Sequence, residues 1–192
     1  MTSPERVTSP ERVTSPERVT SPERRVSVRS LRTVKTVHGL PLPLRGDVLE
    51  QILPHRGSFA LLDRVDDIEP GKWAKGRRLV ARTDPVFADH FPGRPIIPGV
   101  LLIETLGQLS GIVLWSLPPA EGKEPISAGS FGVLAGIKRF RFHRLVVPGD
   151  VVELHTACTA RVGRISEFDV TAHVDRELAA SGSLQIGFRV SE

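Results

Sequence analysis

Residues 100–117 constrain the fold of this chain more than any other stretch, because they are almost entirely apolar and form one uninterrupted helical pattern. A helix that is apolar nearly all round is buried, so we expect one long helix at the centre of the core. Glu104 lies in its second turn and is expected to be buried with it. Burial raises the pKa of a carboxyl group and the positive end of a helix dipole lowers it. We expect burial to dominate, which would keep Glu104 protonated.

The ten residues before this helix, 90–99, predict a stiff and irregular loop. They contain three prolines and two glycines, a composition that excludes the interior of a helix or strand. Pro98 suits the first helical position, where its missing amide hydrogen would have no partner. Ile97 before it has no side-chain oxygen for capping. The first-turn amides therefore lack a local acceptor and are a place to hold a carbonyl or an anion.

One face of the predicted helix is polar or very small. Glu104, Gly107, Gln108 and Gly111 share this face, because they follow the i, i+3, i+4, i+7 spacing. The two glycines indicate close packing against a strand. The polar pair in the middle of the segment argues against a membrane span.

The remainder of the folded part predicts an antiparallel sheet. Its patterning indicates a short helix at 47–53 with Asp47 as the cap, and six strands. The predicted strands cover residues 59–68, 75–83, 131–144, 151–162, 166–175 and 178–190, with turns at 70–71, 84–85 and 147–150 and a polar loop at 118–128. Two strands, one buried helix and four more strands predict an α+β architecture, in which an antiparallel sheet wraps around one long helix.

The first 30 residues differ from this folded part. The unit Thr-Ser-Pro-Glu-Arg occurs four times between Thr2 and Arg24, and a proline every six residues excludes a helix. The repeat has too few apolar residues for a core. We therefore predict a disordered tail at 1–30 and a single domain at 31–192, with its core at about 45–190. The Ser-Pro pairs are candidate phosphorylation sites. The alternatives, which we favour, are a misassigned start codon followed by a repeat expansion, or a tail without function.

Composition narrows the chemistry further. The single cysteine, Cys158, permits neither an internal disulfide nor a cysteine metal site, and it fits a reducing, cytoplasmic compartment. His55, His143, His155 and His173 lack the spacing of metal ligands and are interpreted as surface or structural residues. The net charge of +4 allows acidic partners without requiring them. We expect no metal, no cofactor, no secretory signal, no membrane span and no nucleic-acid partner.

Three blocks of the chain carry a likeness to a known family. They are Leu53-Pro-His-Arg with Phe59-Ala-Leu-Leu-Asp-Arg-Val65, the stretch from His90 through Glu104 to Gln108, and Phe140-Arg-Phe-His-Arg with Val147-Pro-Gly-Asp150. Together they resemble the 3-hydroxyacyl-[acyl-carrier-protein] dehydratases of the FabZ type, which have the hot-dog fold. The likeness covers about residues 45 to 190.

This resemblance implies roles for four residues. His90 would take the α-proton of a (3R)-3-hydroxyacyl thioester, and Glu104 would protonate the departing hydroxyl, so that a trans-2-enoyl product and water form. The amide of Gly99 would hold the thioester carbonyl, where a helix dipole stabilises developing charge. Gln108 would orient Glu104 or a water. The FabA type carries aspartate at the position of Glu104, so the glutamate favours simple dehydration.

The resemblance also implies partners. The substrate would be an acyl-phosphopantetheine on an acyl carrier protein, in fatty-acid or related polyketide synthesis. The family forms two-fold dimers, in which His and Glu of one site come from different subunits, and hexamers built as trimers of dimers. This chain departs from the family in having no tyrosine, so tunnel gating and chain-length preference do not carry over.

The segment Lys138 to Arg144 alternates basic and aromatic residues. In a strand the phenylalanines would face one side, and Arg139, Arg141 and His143 the other. One interpretation is a solvated sheet face. The other is that Lys138, Arg139 and Arg141 form a positive patch that docks the acidic carrier protein.

Alternatives remain open for both the residues and the function. Glu104 could be a structural acid paired with Arg94, Gln108 could bond only within the core, and the two helical glycines could leave room for an acyl chain. The chain could also be a non-catalytic hot-dog protein that binds acyl thioesters, or a hot-dog thioesterase. A sensor of the first kind carries a helix-turn-helix segment before the domain, and thioesterases do not usually show the His-Phe-Pro-Gly frame.

Overall fold

The structure, a computed structural model, describes residues 35–118 and 131–189. The predicted tail at 1–30 and most of the predicted loop at 118–128 lie outside the described residues. In chain order the elements are β1 Thr36–Val37, β2 Leu40–Pro41, β3 Leu44–Arg45, α1 Gly46–Ile52, β4 Arg64–Glu69, β5 Trp73–Leu79, α2 Gly99–Trp115, β6 Phe131–Phe142, β7 Val151–Val162, β8 Ile165–Val174 and β9 Glu177–Arg189. Single 3-10 turns cover Gly57–Phe59 and Pro85–Ala88.

Seven strands form one antiparallel sheet in the order β3-β4-β5-β7-β8-β9-β6, and β1 with β2 forms a separate hairpin. The strands alternate buried and exposed residues because one face of the sheet meets α2. In β8 the inward residues are Phe168, Val170, Ala172 and Val174, all essentially inaccessible to solvent. The predicted α+β architecture, an antiparallel sheet around one long helix, is confirmed.

Helix α2 is the centre of the core. Leu106, Leu109, Ile112 and Val113 are fully buried, and each such side chain contributes about 1.5–3 kcal/mol relative to exposure. The helix packs tightly on β5 at Gly76, where an added Cβ would be 3.2 Å from Leu109. No helix among the described residues is long and apolar enough to cross a membrane.

The starts of both helices differ from prediction by one residue, and α2 ends at Trp115, two residues before the end of the predicted segment. Pro98 is the N-cap of α2 rather than its first helical residue, and it offers no side-chain cap. Helix α1 begins at Gly46, with Asp47 in its first turn and not at the cap. The expectation of a bare start to the long helix is unaffected by this shift.

The predicted strand at 59–68 is wrong in its first half, because β4 begins only at Arg64. Residues 59–61 bond to a helix side chain instead of a neighbouring strand. Gln108 donates to the carbonyl of Phe59 (2.9 Å) and accepts from the amide of Leu61 (3.1 Å). The predicted strand at 75–83 starts earlier and ends at Leu79, because its partner β7 begins at Val151 opposite that residue. The prediction for β7 is confirmed at both ends.

A short hairpin, β1 with β2, precedes the main sheet in the chain. The β1–β2 hairpin reaches the far end of α2, where the imidazole of His38 lies 3.2 Å from the carbonyl oxygen of Trp115. Val37 of the same hairpin is buried. This hairpin therefore covers the end of α2 opposite to the Pro/Gly loop.

Candidate active site

Glu104 lies on α2 within reach of two side chains from the same chain. Gln108, one turn along the helix, donates from Nε2 to Oε1 of Glu104 at 3.0 Å. Nε2 of His55 lies 3.3 Å from the same oxygen. The Glu104 side chain keeps 24% of its surface exposed, so the expectation of full burial is wrong.

The pKa of Glu104 moves in the direction opposite to the one predicted. The hydrogen bond from His55 lowers the pKa of this carboxyl most, burial raises it, and the hydrogen bond from Gln108 lowers it further. The net pKa lies below the ordinary value of 4.5. The prediction failed because it weighed burial against the helix dipole and did not anticipate a histidine partner.

Gln108 forms hydrogen bonds to three groups at once. The residue is only 2% exposed. Besides Glu104, it bonds to the backbone of Phe59 and Leu61 and so ties the segment before β4 to the helix. Both sequence interpretations of Gln108, the orienting of Glu104 and hydrogen bonding in the core, describe real contacts.

His55 is the site residue that sequence reasoning missed. It was interpreted as surface or structural, yet it pairs with Glu104 across 49 residues of chain and stacks on Phe59 with ring centroids 6.1 Å apart. Its Nδ1 is buried and has no hydrogen-bond partner among the residues that the structure describes. The sequence signal that could have identified it is its place in the Leu53-Pro-His-Arg block. That block is one of the three that carry the family resemblance, but the resemblance implied no role for this histidine.

His90 is held by the backbone of its own loop. Its amide donates to the carbonyl of Val86 at 2.9 Å, and its carbonyl accepts from the amide of Ile96 at 3.1 Å. Its Nδ1 lies 2.9 Å from the carbonyl oxygen of Ile96. A carbonyl can only accept, so Nδ1 must carry the proton, and Nε2 is the basic nitrogen of the neutral ring.

His90 and Glu104 do not bond to each other in this chain. Among the described residues, the polar partner of the His90 ring is Ile96, and the partners of Glu104 are His55 and Gln108. Arg94, the predicted alternative partner of Glu104, is exposed and makes no ion pair within the described ranges. A single copy therefore presents a histidine base and a carboxylate at separate places.

The start of α2 is shaped by a close aromatic contact. A Cβ on Gly99 would lie 2.5 Å from the ring of Phe142, so only glycine fits beneath that ring without movement. Within the described part of the chain, no side chain caps this helix start. The binding role predicted for the Gly99 amide stays a prediction.

The two other glycines of the helix face behave differently. A Cβ at Gly107 or Gly111 would meet nothing within 4 Å among the described residues. The predicted close packing against a strand is therefore wrong, and the alternative of open space applies. Val100, one turn before Glu104, is 69% exposed.

The predicted basic patch is on β6 and is exposed. Strict alternation fails there, because a bulge places Lys138 opposite Ser183 and Arg141 opposite Ser181. This register puts Lys138 and Arg141 on one face, and Arg139 lies within the bulge with a φ of 47°. Lys138 is paired with Glu167 at 2.9 Å.

Fold and site together define a class of protein. A long helix enclosed by an antiparallel sheet is also found in a hot-dog-like protein from Thermanaerovibrio acidaminovorans, with a TM-score of 0.50 and 17% identity over 65% of this chain and 85% of that one. The dehydratase heterocomplex ApeI:P from Xenorhabdus doucetiae matches with a TM-score of 0.61 and 22% identity, over 74% of this chain and 91% of that chain. The fold is therefore the hot-dog fold.

Sequence comparison narrows the class to a family. The FabA-like domain family matches residues 53–183. A 3-hydroxyacyl-[acyl-carrier-protein] dehydratase FabZ from Moorella thermoacetica is 41% identical over 138 residues, 72% of this chain and 92% of that protein. The FabZ of Clostridium acetobutylicum is 47% identical over 104 residues, 54% of this chain and 69% of that protein. The chain belongs to the FabA-like family, and within it to the FabZ dehydratases.

Proposed function

We propose that this protein is a (3R)-3-hydroxyacyl-[acyl-carrier-protein] dehydratase that forms trans-2-enoyl thioesters in fatty-acid or related acyl synthesis. The observation that carries the proposal is the hydrogen bond of the His90 ring. Its Nδ1 donates to the carbonyl of Ile96, which leaves Nε2 as a base with a defined orientation. Family membership supports the same reaction.

His90 removes the α-proton in this mechanism. The C2–H bond breaks, its proton goes to Nε2 of His90, and its electron pair forms the C2–C3 double bond as the C3–O bond breaks. The thioester oxygen gains negative charge in the transition state. The Gly99 amide and the positive end of α2 stabilise that charge, because the amide lies at a helix start without a side-chain cap.

The hydroxyl leaves with a proton from the His55–Glu104 pair. Since the pKa of Glu104 is lowered by His55, we assign the proton to the pair as a unit. Glu104 is the member that hands it to the departing oxygen, and water is the product. His90 then holds the proton from C2, and exchange with solvent restores both groups.

A second copy of the chain completes each site in this proposal. His90 and Glu104 are not paired within one copy, whereas the open face at Gly107 and Gly111 leaves space beside Glu104. Strand β6 ends the described sheet and exposes the apolar residues Leu134, Ile137 and Phe142. An apolar edge strand of this length is a template for pairing with an identical strand. We therefore propose a two-fold dimer, with hexamers as trimers of such dimers.

The carrier protein docks beside β6. Carrier proteins are acidic, and Arg139 and Arg141 are exposed cations on that strand. Lys138 contributes less because Glu167 already neutralises it. Reversal of charge at Arg141, as Arg141→Glu, should raise KM for the carrier-linked substrate and leave KM for a short pantetheine thioester unchanged.

The function is tested by incubating the purified full chain with a (3R)-3-hydroxyacyl thioester on a carrier protein, and by following the enoyl product. The wild-type protein should form the enoyl thioester, while His90→Ala and Glu104→Gln should each lower kcat by about 10²- to 10⁴-fold with unchanged circular dichroism. Release of the free acid instead of the enoyl thioester would identify a thioesterase. Wild-type rates in both variants would disprove the assigned roles.

A further inference from the structure

Arg78 is a charged residue at a position where the fold calls for a small or apolar one. Strand β5 alternates inward and outward residues, and Ala74, Gly76 and Arg78 face the helix. Arg78 is 3% exposed. A buried guanidinium is costly unless it is paired, so its partners show what it is used for.

Its first partner is the helix that carries Glu104. Nη1 of Arg78 donates to Oγ1 of Thr105 at 3.1 Å. The Thr105 hydroxyl donates its own hydrogen bond to the carbonyl of Leu101, at 2.6 Å. Its lone pairs therefore face the guanidinium, and the contact links β5 to the first half of α2.

Its second partner is the turn that leads to His90. Nη2 of Arg78 lies 3.2 Å from Oδ2 of Asp84, the residue before the 3-10 turn Pro85–Ala88. The Asp84 carboxylate does not cap that turn. The carbonyl of Val86, within the turn, accepts a hydrogen bond from the amide of His90. The Arg78 guanidinium thus connects the turn that bonds to His90 with Thr105, the residue after Glu104.

We propose that Arg78 is a positioning residue for the dehydration, holding the turn before His90 against the start of α2. This inference rests on the proposed function. His90 and Gly99 are the two ends of one loop, and the substrate must reach the base at one end and the amide at the other. A displacement of about 1 Å in such an arrangement costs about 100-fold in rate.

Arginine suits this role better than a residue chosen for stability alone. Its planar fork donates to Thr105 and Asp84 at the same time, which fixes an angle as well as a distance. Buried ion pairs contribute little stability relative to apolar residues of similar volume. The bridge is therefore better explained by orientation than by stability.

The test separates orientation from stability. Arg78→Met leaves Asp84 without its partner, so it is compared with Arg78→Met/Asp84→Leu, which removes both charges. The double variant should melt no lower than the single variant, yet its kcat should stay about 10- to 100-fold below wild type with KM changed by less than about threefold. Arg78→Lys, which keeps the charge without the fork, should recover part of kcat.

Arg77→Met is the matched control. Arg77 is the neighbouring arginine of β5, but it faces outward and pairs with Asp66 (3.0 Å) and Glu153 (3.5 Å). Its loss removes the same charge from the same strand without touching the turn or the helix. We expect wild-type kcat and KM for this variant.

Hydrogen exchange gives a readout that does not need substrate. In the double variant, amides of residues 84–98 should exchange faster, while those of β7 to β9 keep their protection. Recovery of wild-type kcat in the double variant would overturn the inference, whatever its exchange pattern, and would leave Arg78 a satisfied core residue. A wild-type protein without dehydratase activity would instead refute the proposed function, and faster exchange at 84–98 would then still report the bridge.

Discussion

His90 and Glu104 are held in place by contacts of different kinds. The loop around His90 is fixed by its own main chain, since the residue bonds through its amide, carbonyl and Nδ1 to Val86 and Ile96. Glu104 is fixed by side chains distant in sequence or one turn away, His55 and Gln108. One side chain, Arg78, anchors the turn at the beginning of this main-chain frame through Asp84, whereas the carboxylate itself depends on two particular neighbours. The two regions should therefore respond differently to substitution.

The largest expected effect is the loss of kcat when either His90 or Glu104 is replaced, and it tests whether the two residues of one site come from different chains. His90→Ala and Glu104→Gln should each lower kcat by about 10²- to 10⁴-fold, the usual contribution of acid–base catalysis. An equal mixture of the two variants, co-expressed so that subunits pair at random, should recover about a quarter of wild-type activity. Each shared site then obtains each intact group with a probability of about one half.

The mixture is its own control, because every chain in it lacks one group. A site built from a single chain would show no recovery at all. The measurement is kcat at saturating substrate for the mixture and for each variant alone. Absence of recovery would place both residues in one chain's site and contradict the two-copy proposal.

Gln108 should be the most sensitive support of the carboxylate. Gln108→Met leaves the buried amide of Leu61 and the carbonyl of Phe59 without their partner. The free energy of unfolding should fall by about 1–3 kcal/mol, the usual cost of one buried unsatisfied group, because the Leu61 amide is buried whereas Phe59 is exposed. Urea denaturation measures this difference.

Gln185→Met is the matched control for that loss. Among the described residues, the Gln185 side chain makes one weak hydrogen bond, at 3.4 Å to Glu167. Its replacement should change the free energy of unfolding by about 0.5 kcal/mol or less. Equal effects of the two substitutions would show that the Gln108 bonds do not hold residues 59–61 in solution.

The same comparison explains how far the sequence alone can go. The Pro/Gly loop and the apolar segment predict the helix start within one residue, because both depend on local chain chemistry. The His55–Glu104 contact depends on tertiary structure, and no periodicity links residues 49 positions apart. The false strand at 59–63 has the same origin, since the side chain of Gln108 takes the place of a strand partner.

His55→Gln should alter the acid while leaving the base unchanged. His55 is the largest cause that lowers the pKa of Glu104, and burial acts in the opposite direction. Without the imidazole the pKa of Glu104 should rise. Carboxyl NMR titration, with Glu104→Gln used to assign the resonance, measures it directly.

The rate and the pH dependence of turnover should both change. The loss of the shared proton should lower kcat by about 10-fold or more, and the alkaline limb that reports Glu104 should move to higher pH. His143→Gln is the control, because that imidazole bonds to Ser181 on the sheet. An unchanged pKa of Glu104 in His55→Gln would show that His55 is not part of the acid that protonates the leaving hydroxyl.

The smallest expected effect is on acid stability. Because the folded-state pKa of Glu104 is lowered from 4.5, its ionised form stabilises the fold above that unfolded-state value, and this stabilisation disappears as pH falls through the folded-state pKa. The unfolding free energy of wild type relative to Glu104→Gln should therefore decrease between about pH 6 and pH 3. The decrease should be about 0.5 kcal/mol or less, since water screens a partly exposed pair. A difference that stayed constant over this range would mean that the His55 contact does not favour the ionised carboxylate in solution, and the proton would then belong to Glu104 alone.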